Sequence, residues 1–146
     1  MKTAKVTWIE GMQFVAEAGS GHAIVIDGEP ASGGRDTGTR PMELVLEGLA
    51  GCTAMDVIHI LRRKRQDVTG LEVKVEGERA DTHPKVYTRI HITYIVRGRQ
   101  LSEKAVHDAV NLSKDKYCSV SAMLKSTADI SYNVIIEDAD NAEANA

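Results

Sequence analysis

The sequence is poor in aromatic residues, which make up only 4% of its 146 positions. Proteins that hold single-stranded nucleic acid stack the bases on aromatic side chains. The formal net charge of −3 also gives no general attraction to a phosphate backbone or to an anionic membrane. We therefore expect neither a nucleic-acid nor a membrane partner.

Cysteine is equally scarce, with two residues in the whole chain. Two cysteines are too few for a secreted disulfide scaffold or for a cysteine-rich metal cluster. No long apolar run follows the N-terminal lysines, as a signal peptide would require, and no apolar stretch looks long enough to span a bilayer. The chain also lacks a glycine-rich phosphate loop and a serine-centred nucleophile motif. We expect a cytoplasmic protein without cofactor or bound metal.

Hydrophobic periodicity predicts one α+β domain over residues 1–136. Segments in which apolar and polar residues alternate are typical of strands, and the stretch rich in Gly, Ser, Asp and Pro predicts an exposed, mobile loop. The predicted order is strands within 3–27, a loop at 28–39, a helix at 40–66, a hairpin at 71–97, two helices within 102–128 and a last strand at 129–136. The acidic tail, 137–146, is expected to be disordered.

The predicted central helix is apolar on nearly all sides, which is typical of a buried helix. Thr39 can cap its start and Pro41 suits its first turn. At ~1.5 Å per residue the helix would be roughly 35–40 Å long. A domain of this size cannot cover such a length alone, so we expect a second subunit to help bury it.

One cysteine, Cys52, lies in the middle of this helix in the sequence GLAGCTAMD. Gly48 and Gly51 each cost ~1 kcal/mol of helix stability relative to alanine. They leave room for a neighbouring backbone or for a substrate. Free cysteines are usually inert core residues, and the residues around Cys52 leave inert and reactive roles equally open.

The second cysteine, Cys118, follows Lys114 and Lys116 and begins a predicted helix. Positive charge and a helix N-terminus both favour the thiolate, which predicts some reactivity. Because Cys52 and Cys118 are 66 positions apart, only the fold can pair them.

Asp56 and His59 follow Cys52 by about one and two helical turns. A Cys/Asp/His metal site is conceivable there, but such side chains more often bond locally. We therefore predict no metal ligands.

Three motifs carry a resemblance to a known family. The segments Thr39-Arg40-Pro41-Met42-Glu43-Leu44, Leu49-Ala50-Gly51-Cys52-Thr53-Ala54 and Tyr117-Cys118-Ser119-Val120-Ser121 resemble the OsmC/Ohr family, most closely its YhfA-like branch. The resemblance extends from Lys5 to about Ile136. It implies an OsmC-like fold, in which an antiparallel sheet wraps around a long buried central helix, and an intertwined homodimer.

The resemblance also implies a thiol peroxidase that reduces organic hydroperoxides with the help of an external dithiol. Cys52 would attack the peroxide and Cys118 would resolve the sulfenic acid to a disulfide. Met55, Val120 and Met123 would supply an apolar lining suited to an organic peroxide. The alternative is a non-catalytic dimer of the same fold that binds a small apolar or thiol-bearing ligand.

Two activating residues of the family are not matched plainly. Met42 stands where the peroxidases place a glutamate, and Glu43 follows one position later, ~100° around a helix. Glu43 is a candidate catalytic residue, although a first-turn residue that complements the helix dipole is its simpler role. Arg35 is the candidate for the family's activating arginine, with Arg40 as the alternative.

Overall fold

The chain divides into two compact units, Met1–Val45 and the residues from Leu46 onward. The computed structural model describes residues 1–140. Its strands are β1 (Ala4–Glu10), β2 (Gln13–Ala18), β3 (Ala23–Ile26), β4 (Asp67–Arg79), β5 (Tyr87–Arg99) and β6 (Asp129–Asp138). Its α-helices are α1 (Pro41–Arg63), α2 (Glu103–Leu112) and α3 (Ser119–Leu124). The α+β class predicted from the sequence is confirmed.

The N-terminal unit is a three-stranded antiparallel meander in the order β1-β2-β3. Trp8 pairs with Phe14 across the first hairpin, whose turn contains Gly11 with a φ of 55°. That backbone conformation suits glycine because it has no Cβ.

The predicted loop after β3 is exposed, but it is held by the buried carboxylate of Asp27. Asp27 accepts hydrogen bonds from the backbone amides of Gly28, Arg35 and Thr37, and from the Thr37 hydroxyl. These bonds hold the pKa of Asp27 down to about 2, with the Thr37 hydroxyl as the largest cause. The loop therefore closes around one charged side chain.

The C-terminal unit is a second three-stranded sheet in the order β4-β5-β6. The predicted hairpin is present and longer than expected, with Val73 opposite Tyr94. The last strand departs from the prediction of an antiparallel sheet, because β6 runs parallel to β5. A parallel neighbour requires a long crossover, and α2 and α3 provide it. Alternate β5 side chains form much of the core: Ile90, Ile92, Tyr94 and Val96.

Helix α1 ends at Arg63, three residues before the predicted end, and Arg65 follows in a left-handed conformation with a φ of 56°. Only one of its faces is buried, through Leu49, Thr53, Val57, Ile60 and Leu61. The expectation that the helix is buried on all sides is therefore not met within the single chain.

By length and composition alone, α1 is also apolar enough to cross a membrane, contrary to the sequence-based expectation. Core helices of soluble proteins share this length and composition.

The predicted tail begins too early. Residues 137 and 138 extend β6 to Asp138, and Ala139 is buried. The remainder of the predicted tail, 141–146, lies outside the described residues.

Candidate active site

The fold brings the two cysteines together although they lie far apart in sequence. The thiols of Cys52 and Cys118 and a carboxylate oxygen of Asp56 all lie within 4.8 Å of one another. Cys52 is half-buried and Cys118 is buried, and both are free thiols. A sulfenic acid on either cysteine would therefore have a second thiol close by.

Thr53, the residue after Cys52, fixes this part of α1 against the core. Its hydroxyl lies 2.6 Å from the Tyr94 hydroxyl on β5 and 2.8 Å from the Ser113 hydroxyl. Ser113 in turn donates a 2.8 Å hydrogen bond to the Asp56 carboxylate. Thr53 and Ser113 are 2% and 0% exposed, so the network sits in a low-dielectric interior where each bond is strong. It orients Asp56 toward the thiols.

Ser113 also positions the second cysteine. It begins a single π-helical turn, Ser113–Tyr117, whose closing bond runs from the Cys118 amide to the Ser113 carbonyl at 2.8 Å. Such turns are frequent at functional sites. Cys118 is then the N-cap of α3, and its sulfur accepts from the Ser121 amide at 3.5 Å.

At Cys118, burial affects the pKa of the thiol more strongly than the helix N-terminus does. Desolvation raises the pKa of its thiol, the proximity of Cys52 raises it further, and the Ser121 amide opposes both. The sequence-based expectation of a favoured Cys118 thiolate is therefore wrong. The lysines that suggested it contact aromatic rings: Lys114 lies 4.8 Å from the Tyr132 ring centre and Lys116 lies 5.2 Å from that of Tyr117.

Two tyrosines complete the buried side of the site. Burial raises the pKa of Tyr94 to about 12, so its hydroxyl stays neutral. Tyr132 stacks on Tyr94 with ring centres 6.4 Å apart, and burial raises its pKa as well. Neither hydroxyl can supply an anion near the thiols at neutral pH.

The other predicted site residues belong to the N-terminal unit and make their own local contacts there. The Arg35 guanidinium is paired with the Glu10 carboxylate. The side chain of Arg40 pairs with Asp36 at 2.7 Å, and its amide donates to the Glu43 carboxylate at 2.9 Å. Glu43 thus closes the first turn of α1, as its simpler role requires.

The residues predicted to line an apolar pocket are largely uncovered. Met55 is 77% exposed and Met123 66%, whereas Val120 is half-buried. A cavity of about 550 Å³ instead opens beside Asp56, lined also by His59, Ile60, Arg63, Lys64, Leu112 and Tyr117.

Asp56 is the site residue that sequence reasoning ranked too low. The helical spacing did place it one turn from Cys52, but paired it with His59. The structure brings Cys118 to this position instead, and His59 is exposed. The four-residue spacing of Cys52 and Asp56 is visible in the sequence. The approach of Cys118 to this pair depends on the tertiary fold and has no local signal.

Comparison with known proteins agrees with this architecture. The profile of the family described as OsmC-like protein matches residues 33–133. Protein YhfA of Escherichia coli K12 is 46% identical over 134 residues, which cover 90% of this chain and 97% of that protein.

Two solved structures extend the likeness to the fold. A hypothetical protein from Aquifex aeolicus VF5 is 33% identical with a TM-score of 0.83, over 94% of this chain and 97% of that one. An organic hydroperoxide resistance protein OsmC from Legionella pneumophila is 17% identical with a TM-score of 0.68, over 92% and 96% of the two chains. By profile, sequence identity and fold, this chain belongs to the OsmC-like family.

Proposed function

We propose that the protein is a thiol peroxidase that reduces organic hydroperoxides through Cys52 and Cys118. The observation that carries the proposal is the approach of these two thiols, from α1 and from the N-cap of α3, to within 4.8 Å. The name of the Legionella relative, an organic hydroperoxide resistance protein, supports the substrate class.

The proposed reaction has three steps. The Cys52 thiolate attacks the distal peroxide oxygen, the O–O bond breaks, and the alkoxide leaves and takes up a proton to give the alcohol. Cys118 then attacks the resulting sulfenic acid, so that a disulfide forms and water leaves. Finally, an external dithiol reduces the disulfide by two thiol–disulfide exchanges and becomes oxidised itself.

The structure favours Cys52 for the first step. Its thiol is half-buried, whereas the buried Cys118 has a raised pKa and is a poor thiolate at neutral pH. A resolving thiol needs less activation, because it attacks a sulfenic acid held beside it. Because the dithiol must be kept reduced, we assign the protein to the cytoplasm.

We also propose that the active protein is a homodimer. Gly48, Gly51 and Met55 form an exposed strip on α1, and a Cβ added at either glycine would meet nothing within 4 Å. Met55→Asp should yield a monomer by light scattering after size exclusion. Asn133→Asp adds the same charge at an exposed position of β6 and should leave the dimer intact. A wild-type protein that runs as a monomer at micromolar concentration contradicts the proposal.

The second candidate function is ligand binding without turnover. It is favoured by the local pairing of Arg35 with Glu10 and of Arg40 with Asp36, together with Met42 at the family's glutamate position. Both arginines therefore have carboxylate partners of their own, and a thiol without a neighbouring cation is in general a slow nucleophile. Native mass spectrometry that finds a small molecule retained equally in wild type and Cys118→Ser would support this function.

The deciding experiment treats the reduced protein with cumene hydroperoxide. The peroxidase proposal expects loss of two thiols per chain, an intramolecular Cys52–Cys118 disulfide by peptide mass mapping, and one alcohol per peroxide. Cys118→Ser should stop at a sulfenic acid that dimedone traps on Cys52. Unchanged thiols under excess peroxide would refute the peroxidase and leave the binding function.

A further inference from the structure

We propose that Cys52, Asp56 and Cys118 together bind a thiophilic divalent cation, of which Zn²⁺ is the prime example, when both thiols are reduced. The carrying observation is the convergence of two thiols and one carboxylate oxygen, drawn from α1 and from the N-cap of α3, within a single 4.8 Å cluster. The site uses the same thiols as the proposed peroxidase but does not depend on turnover.

The donor separations are close to those that a tetrahedral ion needs. With bonds of ~2.3 Å to sulfur and ~2.0–2.2 Å to oxygen, tetrahedral donors lie roughly 3.4–3.8 Å apart. The donors here lie within 4.8 Å of one another, so movements of about 1 Å, within the reach of side-chain rotation, would close the site.

Neighbouring hydrogen bonds orient two of the three donors, Asp56 and Cys118. The Ser113 hydroxyl donates to the Asp56 carboxylate and so fixes its orientation, as outer-shell partners do at metal sites. The Ser121 amide directs the sulfur of Cys118. Three protein donors leave a fourth tetrahedral position, which water can fill because Cys52 and Asp56 are only half-buried. The cavity beside Asp56 would let an ion approach that carboxylate from solvent.

The donor set selects the class of ion. Two sulfurs and one oxygen suit Zn²⁺, Cd²⁺ and Co²⁺, whereas Mg²⁺ and Ca²⁺ prefer oxygen ligands alone. The metal binds the thiolate forms, so any proton that the two sulfurs carry is released to solvent on binding. Both sulfurs are then engaged in metal bonds. The ion should therefore protect the cysteines from alkylation and from peroxide, and disulfide formation should abolish the site.

The test is a titration of the reduced, chelator-stripped protein with Cd²⁺ under argon, followed by the ultraviolet thiolate-to-cadmium charge-transfer band. We expect one Cd²⁺ per chain and no band in the disulfide form or in Cys52→Ser and Cys118→Ser. Asp56→Asn should weaken binding at least ~10-fold, since even outer-shell changes cost roughly 10–100-fold. Asp67→Asn, which alters an exposed aspartate at the start of β4, is the matched control and should bind like wild type.

A second readout needs no variant. In the wild-type protein, Zn²⁺ should slow iodoacetamide labelling of both cysteines, and a chelator should restore the rate. Absence of the charge-transfer band, equal affinity of Asp56→Asn and Asp67→Asn, or unprotected thiols at saturating Zn²⁺ would each overturn the proposal. Cd²⁺ binding without peroxide-driven disulfide formation refutes only the peroxidase, and the reverse result refutes only the metal site.

Discussion

The Thr53 hydroxyl lies 2.6 Å from the Tyr94 hydroxyl, deep between α1 and β5. Because Thr53 directly follows Cys52, this contact sets the rotation of the helix at that cysteine. The same hydroxyl contacts Ser113, five residues before Cys118. A single buried threonine thus couples the placement of both thiols to the core.

Thr53→Val should therefore disturb stability and thiol chemistry together. Valine keeps the shape but leaves the buried Tyr94 hydroxyl without this partner, which should cost about 1–3 kcal/mol of unfolding free energy. Urea denaturation measures the loss. The rate of disulfide formation with peroxide should also fall, because the separation of the thiols is no longer fixed.

The control for this prediction is a double-mutant cycle with Tyr94→Phe. If the two hydroxyls stabilise each other, the double variant should lose less than the sum of the single losses. Strict additivity would show that the 2.6 Å contact contributes nothing by itself.

The raised pKa of Cys118 predicts a pH profile for labelling. In Cys52→Ser, iodoacetamide should react with Cys118 slowly at neutral pH and speed up only above the ordinary thiol range of about 8.5. The same variant unfolded in urea provides the reference, with a normal profile. The folded state binds the thiol proton of Cys118 more tightly than the unfolded state does. The protonated thiol therefore contributes to the free energy of unfolding below about pH 8.5, and this contribution declines as pH rises beyond that value. If labelling of the folded variant speeds up at the same pH as the unfolded variant, or at a lower pH, burial does not dominate the pKa of Cys118.

Local patterns were sufficient to predict most of the strands and helices. Alternation along Tyr87–Arg99 and the apolar run of Pro41–Arg63 are properties of neighbouring residues, and both elements lie where the sequence indicated. The parallel pairing of β6 with β5 was not predictable in this way, since it depends on how the α2–α3 crossover returns the chain.

At the candidate site, too, some features could be predicted from the sequence and others depend on the tertiary fold. The resemblance to the family paired Cys52 with Cys118, and the structure brings them together. The direction of the Cys118 pKa was missed because burial is a tertiary property, and the adjacent lysines in the sequence turn to Tyr132 and Tyr117. The link from Asp56 to Ser113 spans 57 positions and has no local signature.

The N-terminal unit should lose stability in acid through Asp27. Its pKa of about 2 lies below the unfolded value of about 3.9, so its stabilising effect is complete above pH 4 and is lost as pH falls toward 2. Trp8, the only tryptophan, lies in β1 and reports this unit by fluorescence. Asp27→Asn should lower the urea midpoint at pH 7 and flatten its acid dependence. Asp36→Asn, an exposed aspartate on the same loop, should change both much less.

The last prediction concerns the arginine that the family resemblance assigns to thiolate activation. If the Arg35 guanidinium activates Cys52, as the family resemblance implies, Arg35→Ala should slow iodoacetamide labelling of Cys52 at neutral pH by about tenfold. The measurement is best made in a Cys118→Ser background, so that one thiol is followed. Arg40→Ala tests the alternative arginine. Glu10→Gln removes the carboxylate that pairs with Arg35 but keeps the cation, so its labelling rate should not fall below wild type. Equal rates in wild type, Arg35→Ala and Arg40→Ala would leave Cys52 without an activating arginine and favour the binding function over the peroxidase.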